Sequence, residues 1–107
     1  TVEGDKEMED KTVLSAEQVD AELPSLPGWN RDGIVISKNF VMANFADITD
    51  FLNHLVQTIT TANHHPDFSL DTGSRTIAVS LTTYSEKAVT RADVDFARTL
   101  NDWTPGS

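Results

Sequence analysis

The chain of 107 residues contains no cysteine. Disulfides, thiolate nucleophiles and cysteine-based zinc sites are therefore excluded, and the composition fits a reducing compartment such as the cytoplasm. The sequence also has no apolar run near the roughly 20 residues that a membrane-spanning helix needs. Its first eleven residues lack the apolar stretch of a signal peptide. We therefore expect a cytoplasmic protein that does not enter a membrane.

Basic residues are scarce, because 8 Lys and Arg stand against 17 Asp and Glu and give a formal net charge of -9. Five acids and two lysines set residues 1–11 at -3, so the rest of the chain carries -6. A negative body repels phosphate backbones, which disfavours direct binding of nucleic acid. A basic protein partner or a neutral small molecule stays open.

Turn residues and hydrophobic spacing divide the chain into helices and strands. Ser15 and Gln18 predict a capping box at the start of a short helix that ends before Pro24. The Asp32-Gly33 pair predicts a hairpin turn between two extended segments. The other predicted elements are a strand over 34–42, a helix over 45–62, a strand over 68–70, a strand over 75–84 and a helix that begins after Thr90.

The helix over 45–62 should supply most of the helical side of the core, because its apolar residues recur at spacings of three and four. These residues are Ile48, Phe51, Leu52, Leu55, Val56, Ile59 and Ala62. The last helix has Thr90 as its cap and Asp93 at the third helical position, which predicts a second capping box.

The order helix, two strands, helix, two strands, helix predicts an α+β domain. Its four strands should form an antiparallel sheet with the helices packed on one face. The folded domain is expected over 12–103. Residues 1–11 should form an acidic, mobile tail, and residues 104–107 should form a frayed C-terminus.

Two of the three histidines lie side by side in the segment Asn63-His64-His65-Pro66-Asp67, between a helix and a strand. The unperturbed pKa of histidine lies near neutrality, which suits proton transfer. We expect no metal site, because adjacent residues that enter a strand point to opposite faces. A purely structural pair that bonds the carbonyls at the helix end also stays open. His54 is expected to be solvated on a polar or boundary face of its helix.

These motifs, in this order, resemble the pterin-4a-carbinolamine dehydratase family. The matching positions are Leu14-Ser15, Leu26-Pro27-Gly28-Trp29, Phe40, Phe45, Phe51, Asn63-His64-His65-Pro66-Asp67, Leu81-Thr82-Thr83, Thr90, Asp93 and Ala97. The resemblance covers residues 14 to about 103. It implies loss of water from a 4a-hydroxytetrahydropterin to give a quinonoid dihydropterin. That reaction uses a general acid near the leaving hydroxyl and a base near N5, with no metal or other cofactor.

By this resemblance, His64 and His65 match the two adjacent catalytic histidines of the family. Pro66 matches the proline that fixes their turn, and Asp93 matches the aspartate at the start of the last helix, which implies that both contribute to substrate binding. The capping box alone would also account for Asp93.

Two positions depart from the family pattern. Thr60 stands where the family has an acidic residue at the substrate site, and it carries no charge. Tyr84 stands where the family has a third catalytic histidine, and a phenol with a pKa near 10 does not exchange a proton at neutral pH as imidazole does. Smaller departures are the lack of an aromatic residue over 71–74, a longer turn there and Ala88 in place of a glycine.

The altered site predicts weakened or lost catalysis in a protein-binding or assembly factor, similar to the Rubisco assembly factors of bacteria with α-carboxysomes. The alternative is an active dehydratase that uses His64 and His65, with Tyr84 as a hydrogen-bond donor. The resemblance also implies a homo-oligomer, either a dimer or a tetramer. The implied partners are a pterin or a protein client such as Rubisco, and the second partner would imply association with carboxysomes.

Overall fold

The computed structural model describes residues 10–105, which form four strands and three α-helices. Most of the predicted acidic tail (1–9) and part of the predicted frayed end (106–107) lie outside the described residues. The helices are α1 (Ala16–Glu22), α2 (Phe45–Ala62) and α3 (Arg91–Asn101), and the strands are β1 (Asn30–Asp32), β2 (Val35–Val41), β3 (Asp67–Asp71) and β4 (Thr76–Leu81). The strand order is β1-β2-β4-β3 with every neighbouring pair antiparallel. The predicted α+β fold is confirmed.

The start of α1 has the predicted capping box. The Ser15 backbone N–H donates to Gln18 Oε1 at 2.7 Å, and the Gln18 N–H donates to Ser15 Oγ at 3.1 Å. The α-helix ends at Glu22, and the chain continues through Pro24 as one 3-10 turn, Leu23–Ser25. Proline is tolerated there because the first residues of a helical turn need no N–H donor.

An asparagine caps each end of α2, with Asn44 before its first residue and Asn63 after its last. The Asn44 side chain accepts the Asp47 N–H at 2.8 Å, a cap that the sequence analysis did not include. The helix ends at Asn63, which has a left-handed backbone with φ of 54°. Asparagine tolerates this conformation better than most residues. The left-handed residue turns the chain away from the helix axis just before His64.

The buried face of α2 is narrower than its apolar stripe. Ile48, Phe51 and Leu55 are buried, whereas Val56 is 53% exposed. Thr58 is buried instead, and its hydroxyl donates to the His54 carbonyl at 2.8 Å, so that no polar group is left without a partner. The prediction that Val56 faces the core is therefore wrong, because a stripe of seven apolar residues covers more of the helix than the sheet contacts.

One face of the sheet packs against the helices. The buried strand residues alternate along the chain, and they are Ile36, Phe40, Ile77, Val79 and Leu81. The Phe51 ring of α2 lies 4.5 Å from the Phe40 ring and 5.2 Å from the Trp103 ring, measured between centroids. These aromatic contacts join the long helix, the sheet and the end of α3 in one core.

Strand β4 ends earlier than the pattern over 75–84 predicts. Its last residue is Leu81, and the Thr82 hydroxyl donates to the Ile34 carbonyl at 2.5 Å. Thr83 makes an isolated antiparallel bridge with Ala88, so Tyr84 lies in a turn rather than in the strand. Thr82 and Thr83 are both buried, so the alternation of buried and less buried residues along β4 also stops at this point.

Phe51→Ala should lower the free energy of unfolding by about 3–5 kcal/mol, because it leaves a cavity beside two aromatic rings. Val56→Ala on the same helix should change it by less than about 0.5 kcal/mol, because that side chain is half exposed. Urea unfolding followed by circular dichroism measures both values. Equal losses for the two variants would contradict the described burial of α2.

Candidate active site

The two adjacent histidines point in opposite directions. They lie between Asn63 and β3, and one of the two rings is buried while the other is exposed. His64 is 5% exposed and turns inward toward α3, where its ring meets the Phe96 ring edge-on with centroids 6.1 Å apart. His65 is exposed. Within this pair, only His65 presents its ring to solvent.

His64 is bonded to a carboxylate at the start of α3. The distance from His64 Nε2 to Asp93 Oδ1 is 2.5 Å, and Asp93 is completely buried. A buried carboxylate needs several donors, because water cannot reach it. The bond to Asp93 also fixes the orientation of the His64 ring.

The second carboxylate oxygen of Asp93 has partners from two further segments. Asp93 Oδ2 accepts the Thr83 hydroxyl at 2.9 Å and the Thr90 backbone N–H at 2.9 Å. The Thr83 and Thr90 hydroxyl oxygens are themselves 2.8 Å apart. The bond from the Thr90 N–H belongs to the predicted capping box of α3. We call His64, Thr83, Thr90 and Asp93 the Asp93 cluster.

The N-terminal segment also supports the start of α3. The carbonyl of Asp10 accepts the Ala92 N–H at 2.8 Å, and the carbonyl of Thr12 accepts the Arg91 N–H at 2.9 Å. The first backbone donors of a helix have no partner within the helix. Because this segment supplies those partners, the Asp93 carboxyl group is held at a fixed position in the first turn.

Tyr84 belongs to a second, exposed group at the same end of the sheet. Its hydroxyl donates to Asp67 Oδ2 at 2.5 Å, and its side chain is 69% exposed. This hydrogen bond to a carboxylate raises the pKa of Tyr84 above its ordinary value of 10.0, and the negative charge of Asp67 adds to the effect. Tyr84 therefore keeps its proton throughout the neutral range, and that proton is directed at Asp67.

Thr60 lies in the last turn of α2, and Pro66 lies between the histidine pair and β3. Thr60 is exposed near the end of α2, and its hydroxyl donates back to the Val56 carbonyl at 3.2 Å. Pro66 is half-buried and separates His65 from β3. Thr60 thus offers neither a charge nor an outward-directed proton.

His54 lies outside this region and is less exposed than expected. Its Nε2 atom is 3.0 Å from the Thr99 carbonyl, and its ring lies 6.3 Å from the Phe51 ring. It lines a shallow groove of about 230 Å³ between α2 and α3, together with Gln57, Thr58, Thr61, Ala62 and Thr99. The expectation of a solvated His54 is therefore only partly right, because one ring nitrogen bridges two helices.

The structure brings His64 and Asp93 together and separates them from Tyr84. The sequence motifs include Thr83 and Asp67 but predict no role for either residue. Thr83 could have been singled out, because it is a hydroxyl residue of the Leu81-Thr82-Thr83 motif just after β4. The Tyr84–Asp67 contact could not have been predicted, because it depends on the shape of the turn after Thr83.

Residues 10–105 show neither a metal site nor a membrane-spanning helix. No group of three or more His, Asp or Glu side chains in this range is arranged to hold a metal ion. In the same range, no helix has both the length and the hydropathy needed to cross a membrane.

The helix-covered antiparallel sheet, with a buried His–Asp pair beside an exposed imidazole, defines a small α+β protein of the pterin dehydratase type. The family profile described as Pterin 4 alpha carbinolamine dehydratase matches residues 12–103. The chain belongs to the pterin-4a-carbinolamine dehydratase family.

Relatives from several bacteria support this membership. A protein of Mycobacterium avium (strain 104), provisionally named pterin-4-alpha-carbinolamine dehydratase, is 37% identical over 89 residues, which cover 83% of this chain and 93% of the relative. A protein of Thermosynechococcus vestitus with the same provisional name is 33% identical and is covered to 92%. The crystal structure of a transcriptional coactivator/pterin dehydratase from Brucella melitensis superposes with a TM-score of 0.77 at 25% identity, over 84% of this chain and 96% of the other.

Thr83→Val should lower the free energy of unfolding by about 1–3 kcal/mol, because it removes one donor from a buried carboxylate and keeps the side-chain volume. Thr83→Ser keeps the hydroxyl group and should lose clearly less. Chemical denaturation of the three proteins measures the difference. A Ser variant as unstable as the Val variant would show that packing, rather than the hydrogen bond to Asp93, makes Thr83 important.

Proposed function

We propose that this chain is a pterin-4a-carbinolamine dehydratase homologue with weakened catalysis that acts mainly as a protein-binding factor. The observation that supports weakened catalysis most directly is the Tyr84–Asp67 hydrogen bond of 2.5 Å. By the family resemblance, this position should hold an imidazole that exchanges protons at neutral pH. A phenol with a raised pKa and a proton directed at Asp67 does not perform that exchange.

His65 remains suited to proton transfer. It is exposed, and histidine is the side chain that most often acts as a general acid or base. His64 is engaged with Asp93 through Nε2, so its first role is to orient the site. Thr60 supplies no carboxylate. The dehydration requires both an acid and a base, and these residues supply only one well-placed exchanging group.

Purified protein supplied with freshly generated 4a-hydroxytetrahydropterin should form the quinonoid product slowly, and His65→Ala should lower the rate by about 10². Thr60→Glu combined with Tyr84→His should raise it, because the pair restores an acid and an imidazole. His54→Gln is the control, since it replaces a histidine outside the site. Fast turnover by the unaltered protein, unaffected by restoring the two residues, would contradict weakened catalysis.

An active dehydratase is the second candidate function. The exposed imidazole of His65 and the provisional dehydratase names of the relatives favour it. In that case Tyr84 would donate a hydrogen bond to the leaving hydroxyl, which requires its bond to Asp67 to break first. The turnover of the unaltered protein therefore distinguishes the two functions.

The protein-binding role is supported by β3, which is the last strand of the described sheet. We call the side of β3 that has no neighbouring strand in this sheet the β3 edge. All five residues of Asp67–Asp71 are exposed, and β4 is the only described strand that pairs with β3. Phe68 and Leu70 are 44% and 37% exposed and pair with the buried Val79 and Ile77, so they lie on the helix side of the sheet. An open strand with apolar side chains can accept a strand from another chain.

Charge favours a basic client at this edge. Asp67 and Asp71 lie at the two ends of β3. If a second copy added its β3 in antiparallel orientation about Ser69, Asp67 would face Asp71 of that copy, and like charges in that position are destabilising. A client segment with basic residues would attract them instead. A Rubisco subunit in a carboxysome-forming bacterium is the client that we propose, and a dimer or tetramer of this chain is the second occupant.

Phe68→Glu should abolish both kinds of association, because it places a charge on the apolar side of the β3 edge. Phe45→Glu, at a similarly exposed phenylalanine on α2, is the control and should change neither. Sedimentation velocity measures self-association, and the yield of assembled Rubisco from purified subunits measures the client role.

The response to salt separates the two occupants. Added salt screens the repulsion between aspartates, so self-association through the β3 edge should strengthen. The same salt should weaken binding of a basic client. Rubisco assembly that is equally efficient with and without this chain would contradict the client role, and it would leave the test of self-association unaffected.

A further inference from the structure

Tyr84 is the only tyrosine of the chain, and its hydroxyl group has an unusual environment for a side chain that is 69% exposed. An exposed phenol ordinarily bonds to water. This phenol instead contacts a carboxylate 17 residues away, with 2.5 Å between Tyr84 Oη and Asp67 Oδ2. A phenol has one proton to donate, and here that proton is directed at Asp67.

A tight turn presents Tyr84 to this carboxylate. The Glu86 N–H donates to the Thr83 carbonyl at 3.1 Å, and the Lys87 N–H donates to the Tyr84 carbonyl at 3.2 Å. Lys87 has a left-handed backbone with φ of 52°, and the bridge between Thr83 and Ala88 closes the turn. The backbone of the turn therefore restricts where the Tyr84 ring can lie.

Asp67 lies on the outer face of the sheet. Its neighbour Phe68 pairs with Val79, whose side chain is in the core. Side chains alternate along a strand, so Asp67 and its pairing partner Ser80 point away from the helices. Asp67 follows His65 by two residues. The phenol and the carboxylate thus lie on the solvent side, at the end of the sheet where the chain enters β3.

We propose that Asp67 is a positioning residue that accepts the single proton of the Tyr84 phenol, so that the two residues present only hydrogen-bond acceptors to a ligand. The phenol oxygen and the carboxylate then offer lone pairs and no proton. They select a ligand edge rich in N–H groups, such as the amino and ring N–H groups of a reduced pterin. The ligand part of this assignment rests on the proposed function, whereas the pairing of Asp67 with Tyr84 does not.

As an acceptor, Tyr84 has the opposite role from the one that an active dehydratase would require of it. A donor to the leaving hydroxyl must point its O–H group at the ligand. The Tyr84 proton is instead directed at Asp67, and the raised pKa of Tyr84 is consistent with such a bond. The position can therefore bind a donor-rich ligand while it fails to protonate a leaving group.

Phenolate absorbance reports on Tyr84 alone, because the chain has no other tyrosine. In the unaltered protein the titration midpoint should lie above 10.0, and in Asp67→Ala it should fall toward 10.0. Asp95→Asn, which removes a negative charge from the exposed face of α3, should leave the midpoint unchanged. A midpoint that is the same in Asp67→Ala and in the unaltered protein would overturn the pairing.

Because the pKa of Tyr84 is raised in the folded protein, the free energy of unfolding should depend on pH in the alkaline range. The folded protein holds the Tyr84 proton more tightly than the unfolded chain does. The contribution of this bond to stability is therefore complete below pH 10.0 and is lost as the pH rises through the folded pKa. Asp67→Ala should remove this alkaline dependence and leave the rest of the unfolding profile in place.

Calorimetry with tetrahydropterin kept under argon tests the ligand. Tyr84→Phe and Asp67→Asn should each weaken binding about fivefold, because each removes or reorients one acceptor. The double variant should lose less affinity than the product of the two single losses, since Asp67 acts in part through Tyr84. Effects that multiply in the double variant would overturn the positioning role.

Binding of tetrahydropterin by the unaltered protein and by Tyr84→Phe distinguishes a failure of the ligand role from a failure of the proposed function. If the unaltered protein does not bind tetrahydropterin, both the pterin function and the ligand assignment fail, while the phenolate titration still decides the pairing. If tetrahydropterin binds and Tyr84→Phe binds it equally well, the ligand assignment alone fails.

Discussion

The buried carboxylate of Asp93 joins three segments that are far apart in the sequence. It accepts hydrogen bonds from the end of β4 through Thr83, from the cap of α3 through Thr90, and it contacts His64 after α2. Loss of any one partner would leave the carboxylate with a missing hydrogen bond. A partly satisfied buried carboxylate is less favourable in free energy than an apolar core would be. The position of α3 over the sheet and the direction of His64 are thus fixed by one group.

The bond to Asp93 places the two adjacent histidines in different environments. His64 is bound inward, and its Nε2 atom is engaged by the carboxylate that holds the helix. His65 is exposed to solvent. Of the two rings, only that of His65 can therefore contact a ligand at the surface. The proposed weakening of catalysis rests on Thr60 and Tyr84, because neither side chain exchanges a proton near neutrality.

Most of the fold could be predicted from local patterns, because its elements obey local rules. The Ser15 capping box, the end of α2 before Asn63 and the alternation along β4 each follow from a few neighbouring residues. The exposure of Val56 could not be predicted, since it depends on how much of α2 the sheet covers. The Tyr84–Asp67 contact could not be predicted either, because it requires the shape of a turn and the start of another strand.

Replacing a buried residue of the family motif affects mainly stability. Replacing an exposed residue such as Tyr84 affects mainly the proton chemistry. Replacing a member of the Asp93 cluster disturbs a buried hydrogen-bond network, so the cluster contributes to stability whether or not the protein is an enzyme. Tyr84 is exposed on a turn, and its side chain contributes little to the core. A histidine could therefore be exchanged for tyrosine there with no change of fold, although the proton chemistry changes completely. A matching His-His-Pro motif is consequently strong support for this architecture and weaker support for dehydration, because the motif includes His64 of the cluster and omits position 84.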